Sequence, residues 1–185
     1  MSNGKLIVIS GASGVGKGTV LDLMMRKRND LFFSVSATTR DPRPGEVDGK
    51  HYFFISKECF EEMIKNDEFL EYHAHAANYY GTLRGQAEAK QKQGHVLLDI
   101  EPNGAAQVRK TAPDATLIFI MPPSVEELER RLRGRGDTPE DQIAMRMDRA
   151  VWEMEQRTWY DYVVVNDDAR RCADEILNII SKLED

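Results

Sequence analysis

Apolar runs without polar alternation recur along the chain, and stretches with helical periodicity separate them. The apolar runs predict strands at residues 5–10, 32–36, 96–100, 116–121 and 162–165. The stretches between them predict helices at residues 16–28, 104–110, 124–133 and 168–183. Strands of this kind are buried on both faces, so the alternation predicts an α/β fold with three layers, in which helices cover both faces of a parallel sheet.

Two segments interrupt this alternation. In residues 38–93, short aromatic runs and a helix at residues 57–65 predict a small mixed α/β lobe inserted into the core. In residues 134–157, a charged helix around residues 141–156 follows a glycine-rich stretch and predicts a mobile helical lid. The remaining segments, residues 1–37, 94–133 and 158–185, are expected to form the core of a single domain.

Composition narrows the class of protein. The formal net charge of −6 argues against nucleic-acid binding, because such binding relies on a basic surface. No apolar run approaches the roughly 20 residues needed to cross a bilayer, and the N-terminus lacks the pattern of a secretion signal, so we expect a cytoplasmic protein without a membrane partner. Cys59 and Cys172 form no zinc-binding pattern. The composition leaves self-association into a homo-oligomer open.

A glycine-rich loop joins the first predicted strand to the first predicted helix. It consists of Gly11, Ala12, Ser13, Gly14, Val15, Gly16, Lys17, Gly18 and Thr19. The glycines allow successive N–H groups to face one anion, the helix N-terminus adds its positive dipole end, and Lys17 can reach a β- or γ-phosphate. A plain strand-to-helix turn is the alternative, but such turns rarely combine two correctly spaced glycines with a lysine. The pattern predicts a phosphate-binding loop.

The loop departs from the general pattern at one position that concerns a metal. Gly18 stands where a serine or threonine usually holds magnesium, and Thr19 follows it. Asp99 ends a predicted strand, and in phosphate-loop proteins such a carboxylate helps to hold magnesium or its water molecules. Its structural alternative is a cap on the next helix. We expect Asp99, acting through water, and Thr19 to serve the metal.

Arginines supply local positive charge at two places. Arg40 and Arg43 lie in residues 36–45, where two prolines disfavour regular structure. A second set, Arg130, Arg131, Arg133 and Arg135, lies where a predicted helix ends in glycines. Solvated surface charge is the favoured interpretation for Arg130 and Arg133, whereas Arg131 and Arg135 share one helix face. Many arginines around a phosphate loop, without a nucleophile and base pair, favour phosphoryl transfer between nucleotides.

A series of motifs runs along the chain in a fixed order: the phosphate loop, SATTRDPRPGE at residues 36–46, Glu71, NYYG at residues 78–81, DIE at residues 99–101, the arginine-rich stretch at residues 131–136 and YDYVVVND at residues 160–167. With these motifs in this order, the chain resembles the guanylate kinases along essentially its whole length. The Ser-x-x-x-Arg-x-x-Arg spacing is the specific part, because a phosphate loop alone would indicate only a nucleotide.

The resemblance implies a phosphate-loop kinase core, a GMP-binding lobe and an ATP-side lid. It implies the reaction ATP + GMP to ADP + GDP in purine nucleotide metabolism, with magnesium as cofactor and dGMP as a further acceptor. The resemblance implies that the phosphate of GMP is bound by Arg40, Arg43, Tyr52 and Tyr80. It implies that guanine is contacted by Ser36, Glu71, Thr82 and Glu101, and Asp99 is also expected in the GMP-binding set. For ATP it implies residues 11–19 and Asn166, which would lie near the adenine. The implied catalytic set is Lys17, Arg40, Arg43, Arg131, Arg135 and Arg146.

Three other functions stay open as alternatives. Guanylate-kinase-like binding modules keep the fold without the activity, but they typically lose the loop lysine that this chain has as Lys17. A kinase for another small molecule would not need Glu71 together with Tyr52 and Tyr80. A regulatory GTPase would need an Asn-Lys-x-Asp motif, which the sequence lacks.

Overall fold

The computed structural model describes residues 4–134 and 140–184, which contain nine strands and seven α-helices. The strands are β1 (Leu6–Gly11), β2 (Leu31–Phe33), β3 (Ser36–Thr38), β4 (Phe53–Phe54), β5 (Phe69–His75), β6 (Asn78–Leu83), β7 (His95–Asp99), β8 (Thr116–Met121) and β9 (Tyr162–Val165). The helices are α1 (Lys17–Lys27), α2 (Lys57–Lys65), α3 (Arg84–Gln91), α4 (Pro102–Thr111), α5 (Val125–Gly134), α6 (Glu140–Glu155) and α7 (Ala169–Lys182). A single 3-10 turn, Gln156–Trp159, follows α6.

The described residues divide into two compact units. One unit contains residues 4–7 and Asp30–Ala115, and the other contains Val8–Asn29 and residues 116–184. The strands form a five-stranded sheet in the order β2-β7-β1-β8-β9 and a four-stranded sheet in the order β4-β3-β6-β5. The five-stranded sheet is parallel, as its β2–β7 and β8–β9 registers show, and the predicted α/β class is confirmed.

Burial of the five-stranded sheet follows strand position. Every residue of β1 is buried, as are the four central residues of β8. Strand β9 differs from the expectation of burial on both faces, because Val163 and Val165 are 44% and 46% exposed. A strand at the edge of a sheet has a neighbour on one side only, and here only Val164 reaches the core.

The apolar run predicted as one strand at residues 32–36 belongs to two sheets. Strand β2 pairs in parallel with β7, and the Ser34 N–H still donates to the Leu97 carbonyl at 3.1 Å. Two residues later, β3 begins and pairs with the antiparallel strand β6. The single predicted strand is therefore wrong, because hydrophobicity alone does not indicate which neighbour a backbone will pair with.

The four-stranded sheet packs against α2 through aromatic side chains. Phe60 stacks on Phe69 and Tyr79, with ring centroids 4.3 and 5.3 Å apart. Helix α2 begins where the Ser56 side chain accepts the Cys59 N–H at 3.1 Å, a typical N-terminal cap. Helix α3 has no counterpart among the predictions, since its sequence is almost wholly polar and only Ala87 is buried.

Helix α4 begins two residues before the start that periodicity predicts. Pro102 occupies its first turn, where a missing N–H costs nothing, and Glu101 is the residue that precedes it. No helix in residues 4–134 or 140–184 combines the length and hydrophobicity needed to cross a membrane.

Candidate active site

The phosphate loop turns twice through backbone conformations that favour glycine. Gly14 and Gly16 have φ values of 87° and 92°, in the left-handed region. A Cβ at Gly14 would lie 2.5 Å from Leu132 Cδ2, so the close approach of α5 also requires glycine there. Helix α1 starts directly after Gly16, and Lys17 is its first residue. The geometry is that of an anion-binding loop on a helix N-terminus.

Two side chains hold the carbonyl of Val15. Asn166 Nδ2 donates to this oxygen at 2.8 Å, and Arg131 Nη1 donates to it at 3.1 Å. Asn166 is 4% exposed, so its side-chain amide makes this hydrogen bond away from solvent. In a trans peptide the carbonyl and the following N–H point in opposite directions, and the Gly16 N–H is therefore turned away from these side chains. That direction suits an N–H that binds phosphate.

Arg131 is oriented by a carboxylate of its own helix. Glu127 Oε1 accepts from Arg131 Nε at 2.8 Å, and the neighbouring Arg130 also donates to Glu127. Hydrogen bonds from Arg130 and Arg131 lower the pKa of Glu127 to about 2. Of the other two arginines predicted to surround the transferring group, Arg146 is half-buried on α6, and Arg135 lies outside the described residues.

Three residues predicted to meet guanine form one row across the four-stranded sheet. Ser36 on β3 lies opposite Thr82 on β6, and Thr82 lies opposite Glu71 on β5. Directly opposed residues share a face of the sheet, so the three side chains are neighbours. The Thr82 hydroxyl donates to Glu71 Oε1 at 2.6 Å, and the Glu71 side chain is 3% exposed.

A β-bulge produces this row. Phe69 lies opposite Leu83, yet Glu71 lies opposite Thr82, so one extra residue of β5 is inserted between these pairs. Without the bulge, Glu71 would lie opposite Gly81 and would not meet Thr82. Bulges often redirect a side chain beside a functional site. Helix α4 also approaches closely, because a Cβ at Gly104 would lie 3.0 Å from Glu71 Oε2.

The predicted GMP-phosphate residues form a second cluster in the same unit. The Arg40 guanidinium lies 5.3 Å from the Tyr52 ring centroid, and the Tyr52 and Tyr80 rings meet edge to face at 6.1 Å. Tyr80 lies opposite His73 on β5, and the two rings stack at 5.6 Å. Tyr80 lies two residues before Thr82 on β6, and alternate residues of a strand project to the same face, so Tyr80 and Thr82 share a face of the sheet.

Glu46 organises this cluster, although the sequence predictions assign it no role. Its carboxylate accepts two hydrogen bonds from Arg40, at 2.7 and 2.9 Å, and one from the Arg43 N–H at 2.7 Å. These bonds, with that of Arg40 first, lower the pKa of Glu46 to about 2. The same ion pair and a hydrogen bond with Tyr80 raise the pKa of Arg40 above its ordinary value. The sequence did contain a signal for this role, because Glu46 follows Arg40 by six positions and Arg43 by three within one turn-rich segment.

The structure thus gathers the predicted residues into two groups, one in each unit. The phosphate loop, Arg131 and Asn166 meet in one unit. The other unit contains the Glu71 row (Ser36, Thr82 and Glu71) and the Arg40 cluster (Arg40, Glu46, Tyr52 and Tyr80). Arg43 is exposed, and its backbone N–H donates to the Glu46 carboxylate that also binds Arg40. Asp99 is exposed at the carboxyl end of β7, and Glu101 is exposed at the start of α4.

A parallel sheet whose first strand leads through a left-handed glycine loop into a helix that starts with lysine defines a phosphate-loop nucleotide-binding protein. Residues 3–183 match the family model described as guanylate kinase. A guanylate kinase from Synechocystis sp. is 48% identical over 182 residues, which cover 98% of this chain and 95% of that relative. One from Trichodesmium erythraeum is 51% identical over 168 residues, 90% of each chain. The chain belongs to the guanylate kinase family.

Solved structures agree with this assignment. The crystal structure of guanylate kinase from Anaplasma phagocytophilum is 34% identical, has a TM-score of 0.72 and is matched over 98% of this chain and 86% of that one. The SH3-kinase fragment of tight junction protein 3 is 12% identical with a TM-score of 0.50, over 98% of this chain and 58% of that one, and shares the fold alone. The chain is a kinase, a phosphotransferase, as the resemblance implies.

Proposed function

We propose that this chain transfers the γ-phosphoryl group of ATP to GMP, producing ADP and GDP, and that it also accepts dGMP. The observation that carries this proposal is the buried Glu71 carboxylate, which lies in a row with two hydroxyl side chains on the sheet face that also presents Tyr80. Family membership supports the same reaction.

Guanine is the base that suits Glu71. The N1–H and the exocyclic N2–H of guanine are both hydrogen-bond donors, and a carboxylate is only an acceptor. Adenine presents an acceptor at N1, which would face the carboxylate without a hydrogen. Each oxygen has two acceptor sites, so the bond from Thr82 to Oε1 leaves acceptor capacity on the carboxylate. In this proposal Ser36 and Thr82 complete the guanine edge, Glu101 lies near the exocyclic amino group, and Asp99 also belongs to the GMP-binding set.

The Arg40 cluster is proposed to bind the phosphate of GMP. A guanidinium binds phosphate by paired hydrogen bonds, and the hydroxyls of Tyr52 and Tyr80 supply further donors. Arg43 adds a second cation. The Glu46 carboxylate already orients Arg40, so the bound phosphate meets a side chain whose position is set in advance.

Chemistry at the acceptor needs no general base. The second pKa of a phosphate monoester is about 6, so GMP is mostly dianionic at neutral pH and its oxygen is a competent nucleophile. We infer that catalysis comes from positioning and charge: residues 11–19 and Asn166 on the ATP side, and Lys17 with Arg131, Arg135 and Arg146 around the transferring group. Residues 38–93 are proposed as the GMP lobe and residues 134–157 as the lid.

Magnesium is the cofactor expected for transfer between phosphates, and the side chains available here offer the oxygen donors that it binds. Magnesium prefers oxygen ligands and keeps several water molecules. Asp99 offers an exposed carboxylate and Thr19 an exposed hydroxyl. A Cβ at Gly18 would meet nothing within 4 Å, so the loop leaves open space where other phosphate loops have a hydroxyl side chain. We propose that Asp99, through water, and Thr19 hold the ion, which would neutralise phosphate charge.

A coupled assay with ATP and five acceptors tests the reaction. GMP should be phosphorylated fastest and dGMP more slowly. The rates with AMP, CMP and UMP should be lower than the rate with GMP by factors of about 10⁴ or more, because a site of buried polar groups rejects bases that leave those groups unpaired. Comparable rates with AMP and GMP would contradict the assignment of Glu71. No turnover with any acceptor, together with retained GMP binding, would favour a binding module.

A further inference from the structure

A buried carboxylate on α6 contacts the phosphate loop. Glu153 is 3% exposed. Its Oε2 accepts a hydrogen bond from the backbone N–H of Ser13 at 2.7 Å, and its Oε1 accepts one from Arg149 Nε, one helical turn earlier, at 3.1 Å. The helix and the loop are 140 residues apart in sequence and belong to the same compact unit. The functions proposed above assign Glu153 no role.

The contact determines the direction of one loop peptide. The Ser13 N–H points to α6, so it is not among the donors available to a phosphate bound in the loop. In a trans peptide the preceding carbonyl, that of Ala12, points the other way, and it accepts the Val15 N–H at 3.0 Å to close a turn. The bond to Glu153 therefore supports the turn from outside.

Glu153 holds the loop on one side of Gly14, and Asn166 with Arg131 hold it on the other side. Glu153 holds the N–H of Ser13, and the other two hold the carbonyl of Val15. Between them lies Gly14, with a φ of 87°. Glycine adopts this φ at no steric cost, but it can also adopt other values. Anchors on both sides remove freedom that glycine would otherwise retain before phosphate binds.

The same contact connects the loop to the helix that carries Arg146. Residues 146 and 153 are seven apart, about two turns, and so lie on the same side of α6. A negative charge beside a triphosphate would weaken binding, but Arg149 pairs with Glu153 and offsets that charge. Because the charge is offset, the main effect of the Glu153 carboxylate is on the geometry of the phosphate loop.

We propose that Glu153 is a positioning residue: it holds the phosphate loop in its anion-binding conformation and aligns α6 with the loop. This role rests on the proposed function, since it concerns the ATP side of the transfer. It predicts that loss of Glu153 impairs ATP binding selectively, because the residues proposed for GMP belong to the other unit.

Steady-state kinetics of Glu153→Ala and Glu153→Gln test this role, with Glu155→Gln, an exposed carboxylate of the same helix, as the matched control. We expect Glu153→Ala to raise the KM for ATP about tenfold or more, the effect of losing a hydrogen bond to a charged acceptor. The KM for GMP should stay within about twofold of the parent value. Glu153→Gln should show a smaller change, because its amide oxygen can still accept the Ser13 N–H.

Calorimetric titration with ADP provides a second readout that does not need turnover. The Kd for ADP should rise in the same order as the KM for ATP, Glu153→Ala above Glu153→Gln. An unchanged or lowered KM for ATP would overturn the proposal, the latter by showing that the carboxylate competes with the triphosphate. Equal rises in the KM for ATP and for GMP would overturn it too, as general structural damage. A parent enzyme that fails to phosphorylate GMP refutes the proposed reaction, while the ADP titrations still test the loop contact.

Discussion

At the scale of single residues, the guanine-binding proposal depends on how Glu71 is placed. The bulge in β5 puts this residue opposite Thr82, and the hydroxyl of Thr82 fixes one of its oxygens. Burial makes the carboxylate costly to leave unpaired, and that cost is what discriminates between bases. In this proposal, the specificity for guanine therefore depends on a geometry that a conservative substitution would disturb.

Glu71→Gln should lower kcat/KM for GMP by about 10³-fold, because an amide nitrogen would face the N–H donors of guanine. The Kd for ADP should not change, and the preference for GMP over AMP should shrink. The control is Glu88→Gln, an exposed carboxylate on α3. If Glu71→Gln keeps the parent's preference, the specificity belongs to Ser36, Thr82 or Glu101 instead.

Gly104→Ala tests the close approach of α4 to Glu71. An added Cβ would lie 3.0 Å from Glu71 Oε2, so the carboxylate must shift by a few tenths of an ångström, and the KM for GMP should rise by about tenfold. Gly85→Ala on α3 is the matched control, because a Cβ there meets nothing within 4 Å. That variant should be slightly more stable to heat, with the parent's kinetics. Unchanged GMP kinetics in Gly104→Ala would show that the approach is not functional.

Glu46 should titrate far below an ordinary glutamate. Its pKa is lowered to about 2, mainly by Arg40, so whatever stability the ion pair contributes is fully present above about pH 4.5 and is lost as the pH falls towards 2. Carboxyl NMR titration of the parent and of Arg40→Gln would measure this. We expect the pKa of Glu46 to return towards its ordinary value in the variant. The same low pKa in both proteins would assign the shift to the Arg43 N–H.

At the scale of elements, the phosphate loop owes its shape to side chains that other elements supply. Strand β1 and helix α1 define where the loop begins and ends, but Asn166, which follows β9, and Arg131 on α5 hold its Val15 carbonyl. A carbonyl that loses a buried donor costs free energy and is then able to rotate, which turns the next N–H away from the phosphate.

Asn166→Ala should therefore weaken ATP binding by about tenfold, with little change in the KM for GMP. Calorimetric titration with ADP and the steady-state KM values measure the two sides separately. Asn103→Ala, an exposed asparagine on α4, is the matched control. ATP affinity equal to that of the parent would mean that Arg131 alone suffices to hold the loop.

At the scale of the whole molecule, phosphoryl transfer competes with hydrolysis unless water is excluded from the nucleotides. We expect residues 40–81 and residues 134–156 to gain protection from hydrogen exchange when GMP and a non-hydrolysable ATP analogue bind together. Either nucleotide alone should protect mainly its own region. An exchange profile that does not change with both nucleotides bound would contradict the assignment of these regions as lobe and lid.

The sequence by itself determined the local features and their order along the chain. Hydrophobic runs indicated β1, β7, β8 and β9 to within a residue or two, and the spacing of Gly11, Gly16 and Lys17 identified the phosphate loop. These signals are local, because burial of a strand and the conformational freedom of glycine leave their pattern in a few consecutive residues. The motifs that carry the family resemblance are of the same kind.

Only the tertiary structure decided which residues meet. The division of one apolar run between β2 and β3, the bulge that places Glu71 beside Thr82, and the contact of Glu153 with Ser13 join positions up to 140 residues apart. A carboxylate at position 153 has the same local pattern whether it is solvated or buried against a loop. Strand pairing and burial depend on the whole chain, and no short window of sequence contains that information.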